Sequence, residues 1–279
     1  MKNIVVPVDF SSASINACYF AESLSAIYDS ISITILNVYH IPVIDPMMPQ
    51  TYLSELAESS AKQSITKLEE LKAELEKISK HINSGAVDIT IESRLGFAVD
   101  EILDYISELN PDMVITGTRH SEGFRILSGS IASKLVDKVE IPLIVVPERY
   151  SPRRIIDNIL YASNFDKHDE LAIDKLLEIA KPIGAQIHCL HVHSHDEELK
   201  NNFEALKEKF KSAIDSGFLQ MEIIESDNTE EVIAEYTTKN HVDLLAMLTH
   251  KKSFLDRLFE GSFTKRVAFH TDKPILIFH

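Results

Sequence analysis

Short runs of apolar, largely β-branched residues alternate along this chain with longer stretches whose apolar positions recur every three or four residues. The runs IVVPV (Ile4–Val8), MVIT (Met113–Thr116) and LIVV (Leu143–Val146) are apolar at successive positions, as parallel strands covered on both faces are. With their neighbours they predict strands over residues 2–8, 31–39, 87–93, 112–116 and 142–146, and helices over 12–27, 51–82, 98–108 and 129–138. In the longest helix Leu53, Leu56, Ile65, Leu68, Leu71, Leu75 and Ile78 form one stripe. The stripe reads as core, because it is single and lacks sustained heptads. The segment before it, His40–Gln50, holds three prolines and cannot continue a regular element. Alternation of this kind implies a doubly wound α/β sheet with helices on both faces.

The pattern occurs twice. Ile4–Ser11 (IVVPVDFS) corresponds to Ile159–Asp166 (ILYASNFD), and Gly129–Val146 to Gly261–Phe278 over 18 positions without a gap. Between them IESRLG (Ile91–Gly96) matches IESDNT (Ile224–Thr229), and PDMVITGT (Pro111–Thr118) matches VDLLAMLT (Val242–Thr249). Four collinear matches indicate a tandem duplication. The polar stretch Pro147–Pro152 marks the junction, giving expected domains at 1–147 and 153–279. Copy two has a shorter second helix, near 196–214, and the surplus of copy one lies mostly after its second strand.

Composition narrows the function. The 279 residues carry 43 acidic and 28 basic side chains, a net charge of −15, which argues against a general nucleic-acid binder but not against a small phosphorylated ligand. Cys18 and Cys189 are the only cysteines, so no disulfide framework or CxxC metal site exists. No apolar run approaches the roughly 18 residues of a membrane span, and the N-terminus lacks a signal-peptide pattern. The expectation is a soluble, cytoplasmic protein with no membrane partner.

In an open parallel sheet, ligands bind beyond the carboxyl ends of the strands where strand order reverses. Asp9 ends the first strand. Gly117 ends the fourth and opens GTRHSEGFRILSGS (Gly117–Ser130), which holds three of the eight glycines. Glycines admit an anion to backbone amides, and Gly129-Ser130 would add a hydroxyl at a helix N-terminus.

The VPVDFS start, the GTR opening, the Gly-Ser helix start and the final Pro-plus-apolar strand resemble the universal stress protein family, over essentially the whole chain. The resemblance implies strand order 3-2-1-4-5 in each five-stranded parallel sheet, with the fifth strands meeting in an internal pseudo-dimer, and leaves a further homodimer open. In the ATP-binding branch of that family the loop reads G-x2-G-x9-G-[ST]. An Asp ending strand one and backbone ending strand two hold the nucleoside, and the loop holds the phosphates. Carried over, Asp9 matches the nucleoside Asp and Val38 the adenine-contacting backbone. Gly117 matches the first glycine, and Gly129 with Ser130 the last pair. His120 stands where the second glycine belongs, and the loop is one residue short. Gly123, Arg119 and Arg125 are the candidates to compensate. The resemblance thus implies ATP or another adenine nucleotide in the N-terminal domain, with Mg²⁺ as the only expected metal. Copy two departs further, with Asn164, Leu248 and Lys251 at the Asp and first two Gly positions and only Gly261-Ser262 kept. It reads as a structural or interaction half, its Lys251, Lys252 and Arg257 a solvated edge.

Each feature also has a plainer explanation. Asp9 and Asn164 are expected N-caps of the helices that follow, and the two Gly-Ser pairs are ordinary helix starts; Gly117 and Gly123 escape this account. His191, His193 and His195 alternate onto one strand face with His188 on the other. Imidazoles on one face suit Zn²⁺, but the outer two lie about 13 Å apart, so at most two could share an ion. Solvated strand-end side chains are the plainer reading and metal binding the alternative. There is no Cys/His nucleophile pair, G-x-S-x-G elbow or Walker lysine, so an enzyme is not expected. Three functions stay open: a stress-response binding and signalling module holding ATP, the same fold acting through protein partners without nucleotide, and a weak ATP hydrolase using His120.

Overall fold

The computed structural model describes residues 2–41, 49–81, 86–118, 131–151, 156–193, 197–248 and 273–279. They divide into two units that part at residues 152 and 153.

Unit 1 opens with β1 (Lys2–Val8), in which every residue from Ile4 to Val8 is buried, so both faces are covered. There follow α1 (Ser12–Ser23) with a one-turn 3-10 extension at Leu24–Ala26, β2 (Ser30–Tyr39), α2 (Gln50–His81), β3 (Ala86–Leu95), α3 (Ala98–Leu109), β4 (Met113–Thr118), α4 (Ile131–Lys138) and β5 (Leu143–Pro147). All strand pairs are parallel, in the order β3-β2-β1-β4-β5. The chain fills one side of β1 and then the other, so strand order reverses between β1 and β4.

Unit 2 repeats the plan with β6 (Asn158–Ala162), α5 (Asp169–Ile183), β7 (Gln186–His193), α6 (Glu197–Lys209), α7 (Lys211–Asp215), β8 (Leu219–Glu225), α8 (Thr229–Lys239), β9 (Leu244–Leu248) and β10 (Ile275–Phe278). Its order is β8-β7-β6-β9-β10, again parallel. This is the expected 3-2-1-4-5 in both halves.

Two helices depart from the sequence pattern. Ile65 is 43% exposed, off the core stripe of α2, while Ser64 is buried with Leu68, Leu71 and Leu75. Counting back one turn from Leu68 reaches Ser64 rather than Ile65, and hydrogen bonds described below repay its burial. The single helix expected near 196–214 is broken at Phe210, which leaves helical backbone angles and turns its ring into the core.

One tie recurs. Asp112, just before β4, accepts from the Asn3 amide at 2.8 Å, and its own amide donates to the Asn3 carbonyl at 2.9 Å. Asp243, just before β9, accepts from the amides of Asp157 and Asn158 at 2.9 and 3.1 Å and donates to the Asn158 carbonyl at 2.8 Å. Each aspartate fastens the start of the central strand to the strand beside it.

Candidate functional site

Strand register decides which residues share the crevice of unit 1. β1 pairs with β2 up to Val8↔Asn37 and with β4 at Ile4↔Met113 and Val5↔Val114, an offset that counts Val8 level with Gly117. Asp9, Val38 and Gly117 therefore stand at the carboxyl ends of three adjacent strands. β2 runs past the last paired residue of β1. The Tyr39 carbonyl accepts from Gly96 N at 3.0 Å, on the β3 side. Backbone groups of successive strand residues alternate sides, so the Val38 carbonyl is aimed at the β1 side, beyond the end of that strand.

Asp9 is exposed and does not cap α1, contrary to expectation. Ser11 is the cap, its hydroxyl accepting from Ser14 N at 3.4 Å. Asp9 lies two residues earlier, where its Oδ1 accepts from the Ser11 amide at 3.0 Å and from the Ser11 hydroxyl. The cause is Phe10, whose φ of 61° puts a left-handed residue between strand and helix. This delays cap geometry to Ser11 and makes Asp9 the head of an Asx turn.

Gly117 has a packing role of its own. A Cβ there would lie 2.2 Å from the Ala13 carbonyl oxygen, 2.3 Å from its carbon and 2.6 Å from Ser14 N. The first turn of α1 rests on the backbone of β4, and only glycine permits that approach. Arg119, His120, Gly123, Arg125, Gly129 and Ser130 lie outside the described residues, as do Lys251, Lys252, Arg257, Gly261 and Ser262.

Beneath the crevice is a polar group that sequence reasoning missed. Asn37 is buried and donates through Nδ2 to the Val8 carbonyl at 2.7 Å. Its Oδ1 accepts from the Ser64 hydroxyl at 2.7 Å, and Ser64 is also 2.7 Å from the Ser93 hydroxyl. The signal was an amide inside the apolar run ILNVY. Beside α1, the Glu148 amide donates to the Thr118 carbonyl at 2.9 Å and its carboxylate accepts from the Ser12 hydroxyl. Asn16 donates to the Glu148 and Tyr150 carbonyls at 2.7 and 3.1 Å. The chain after β5 is thereby held to α1 and to the residue where the loop begins.

The corresponding residues of unit 2 are arranged differently. Phe165 repeats the left-handed turn with φ 51°, but its ring is fully buried, with centroids 4.9 Å from Phe203 and 5.8 Å from His191. Phe10 is only half-buried, with Lys67 Nζ 5.2 Å from its ring. Asn164 does not cap α5, which begins at Asp169, the counterpart of Ser14, with His168 at the cap position. This later start goes with Leu248 at the Gly117 position. Asp169 is buried; its Oδ1 accepts from the Tyr161 hydroxyl and its Oδ2 from the Asp166 amide at 2.8 Å. Burial pushes the Asp169 carboxyl above the usual carboxylate range, against those hydrogen bonds. Burial, with the Asp169 charge, pushes the Tyr161 phenol up.

His191 Nδ1 donates to the Ser163 carbonyl at 2.6 Å. By the pairing Ala162↔Leu190 it occupies the register position of Asn37. His188 lies 3.2 Å from the Tyr236 hydroxyl and 3.4 Å from Asn158 Oδ1, and burial lowers its pKa below the usual histidine range. The His193 side chain and the whole of His195 lie outside the described residues. Among the described residues no three His, Cys, Asp or Glu side chains group to hold a metal ion.

The family model of the universal stress protein family matches residues 1–147 and again 156–279. The chain belongs to that family. A universal stress protein of Methanocaldococcus jannaschii is 30% identical over 148 residues, 52% of this chain and 81% of that protein. The crystal structure of a universal stress protein from Archaeoglobus fulgidus has a TM-score of 0.72 at 16% identity, covering 99% of this chain and 96% of that one. The cytoplasmic domain of a prokaryotic cation chloride cotransporter gives 0.54 at 10% identity over 99% and 94%. At such identities the likeness speaks for the fold alone. The universal stress protein fold therefore leaves function to the strand ends, where the halves differ in Asp9 against Asn164, Gly117 against Leu248, and a half-buried against a buried phenylalanine. No helix among the described residues is long and apolar enough to cross a membrane.

Proposed function

We propose that this tandem universal stress protein is a cytoplasmic stress-response binding and signalling module, not an enzyme, that holds one adenine nucleotide, ATP foremost, in its N-terminal half. Residues 1–147 form the nucleotide half and 153–279 a structural or interaction half. The observation that carries the reading is the Val38 carbonyl aimed past the end of β1. A lone acceptor suits the exocyclic amine of adenine and repels the oxygen that guanine carries there. The Asp9 carboxylate at the next strand end is exposed, and a carboxylate is an acceptor with about four lone-pair sites, a chemistry that suits ribose hydroxyls. The phosphates would reach Gly117 and the loop residues Arg119, His120, Gly123, Gly129 and Ser130, with Mg²⁺ travelling on the nucleotide. Phe165 and Leu248 oppose a second site in unit 2.

Titration calorimetry tests this. The full chain is expected to bind one ATP, Asp9→Ala to bind it at least about tenfold more weakly, and Asn164→Ala to bind as the parent does. An absence of heat with the parent chain, or binding indifferent to Asp9→Ala, overturns the assignment.

A further inference from the structure

We propose that Asn37 and Ser64 are positioning residues that set the base selectivity of the unit 1 site, an inference that rests on the nucleotide reading above. One nucleoside-facing position adjoins this buried pair directly, and the other adjoins a residue that the pair holds. Val38 follows Asn37 in β2, and Asp9 follows Val8, whose carbonyl Asn37 holds at 2.7 Å. Asn37 thus fixes the offset between the end of β1 and the overrunning end of β2, the offset that leaves the Val38 carbonyl beyond its neighbour strand. The amide cannot turn over. Its donor end faces a carbonyl, and its acceptor end takes the Ser64 hydroxyl at 2.7 Å, so a flipped amide would face a carbonyl with an oxygen.

Ser64 comes from α2 and is also 2.7 Å from Ser93 Oγ on β3, so one helix and three strand ends meet in one chain of hydrogen bonds. At 7% and 4% exposure Asn37 and Ser64 are shielded from water, where such bonds hold geometry best. Unit 2 supplies the contrast. His191, at the position of Asn37, grips the Ser163 carbonyl but packs its ring against Phe165. The extra length of copy one is thereby put to use, since it builds the long helix that brings Ser64 to the strand ends.

The test compares ATP and GTP by calorimetry on the full chain and on Ser64→Ala, with thermal unfolding followed in parallel. The parent is expected to prefer ATP. Ser64→Ala is expected to lose about fivefold in ATP affinity with GTP affinity nearly unchanged, so that the preference shrinks. A purely structural role would weaken both nucleotides alike, and an unchanged ATP-to-GTP ratio overturns the inference while leaving the nucleotide site standing. A parent chain that binds no ATP overturns the nucleotide reading and this inference together. If Ser64→Ala fails to fold, Ser93→Ala removes the outer link of the same chain, and the same ratio decides.

Discussion

Gly117→Ala is expected to cost unit 1 about 3 kcal/mol of stability, and more if the first turn of α1 cannot move. The added Cβ would stand 2.2 Å from the Ala13 carbonyl oxygen. What it meets is the backbone of a helix whose start is fixed by the Ser11 cap and by the Asn16 and Ser12 bonds to the chain after β5. No side chain can swing aside, so helix and strand must separate and the buried surface between them opens. The melting temperature should fall by about 9 °C, read by calorimetry without ligand. A change within about 0.5 kcal/mol would show that α1 does not rest on β4 in solution. The result also separates two explanations of this glycine, because a ligand-binding role alone leaves the unliganded protein as stable as before.

Tyr161→Phe is expected to cost unit 2 about 2 kcal/mol at pH 7. The hydroxyl it removes donates to Asp169, a carboxylate with 2% exposure that has little access to replacement water. The sign of the pH dependence follows from the raised pKa of Asp169. Its folded-state value lies above the unfolded one, so its contribution is complete below about pH 4 and is lost as pH rises through the folded value. Because the Tyr161 hydrogen bond holds that value down, removing the hydroxyl raises it further. The variant's deficit should therefore be larger at pH 7 than at pH 4, as measured by denaturant unfolding at both. Equal deficits would mean that the tyrosine donates to an acid already protonated at pH 7.

The architecture was legible because IVVPV, MVIT and LIVV need both faces covered, and because the repeat supplied each element twice. What escaped was what depends on contacts distant in sequence. Asn37 reads as an interruption of a strand until α2 is seen to bring Ser64 against it. Asp9 reads as a cap until the positive φ of Phe10 moves the cap to Ser11. Ile65 looked like core because a strict leucine stripe hides which residue one turn before Leu68 faces inward. Gly117 drew attention as a phosphate-loop glycine, whereas its tightest neighbours are Ala13 and Ser14. Asp112 and Asp243 carried a signal in the repeated VIT and LAM runs they precede, but an acidic residue before a strand has no meaning until the strand beside it is known.

Those two aspartates have a consequence for how the protein is made. Each central strand is written first in its half, while the neighbour that Asp112 or Asp243 fastens to it arrives 109 or 85 residues later. At ordinary ribosomal speeds that gap lasts roughly 5 to 20 s, during which Ile4, Val5 and Val6 present an unpaired apolar edge to the cell. A ribosome stalled before Met113 would hold a sheet open along its middle, a substrate for chaperones or for a neighbouring nascent chain.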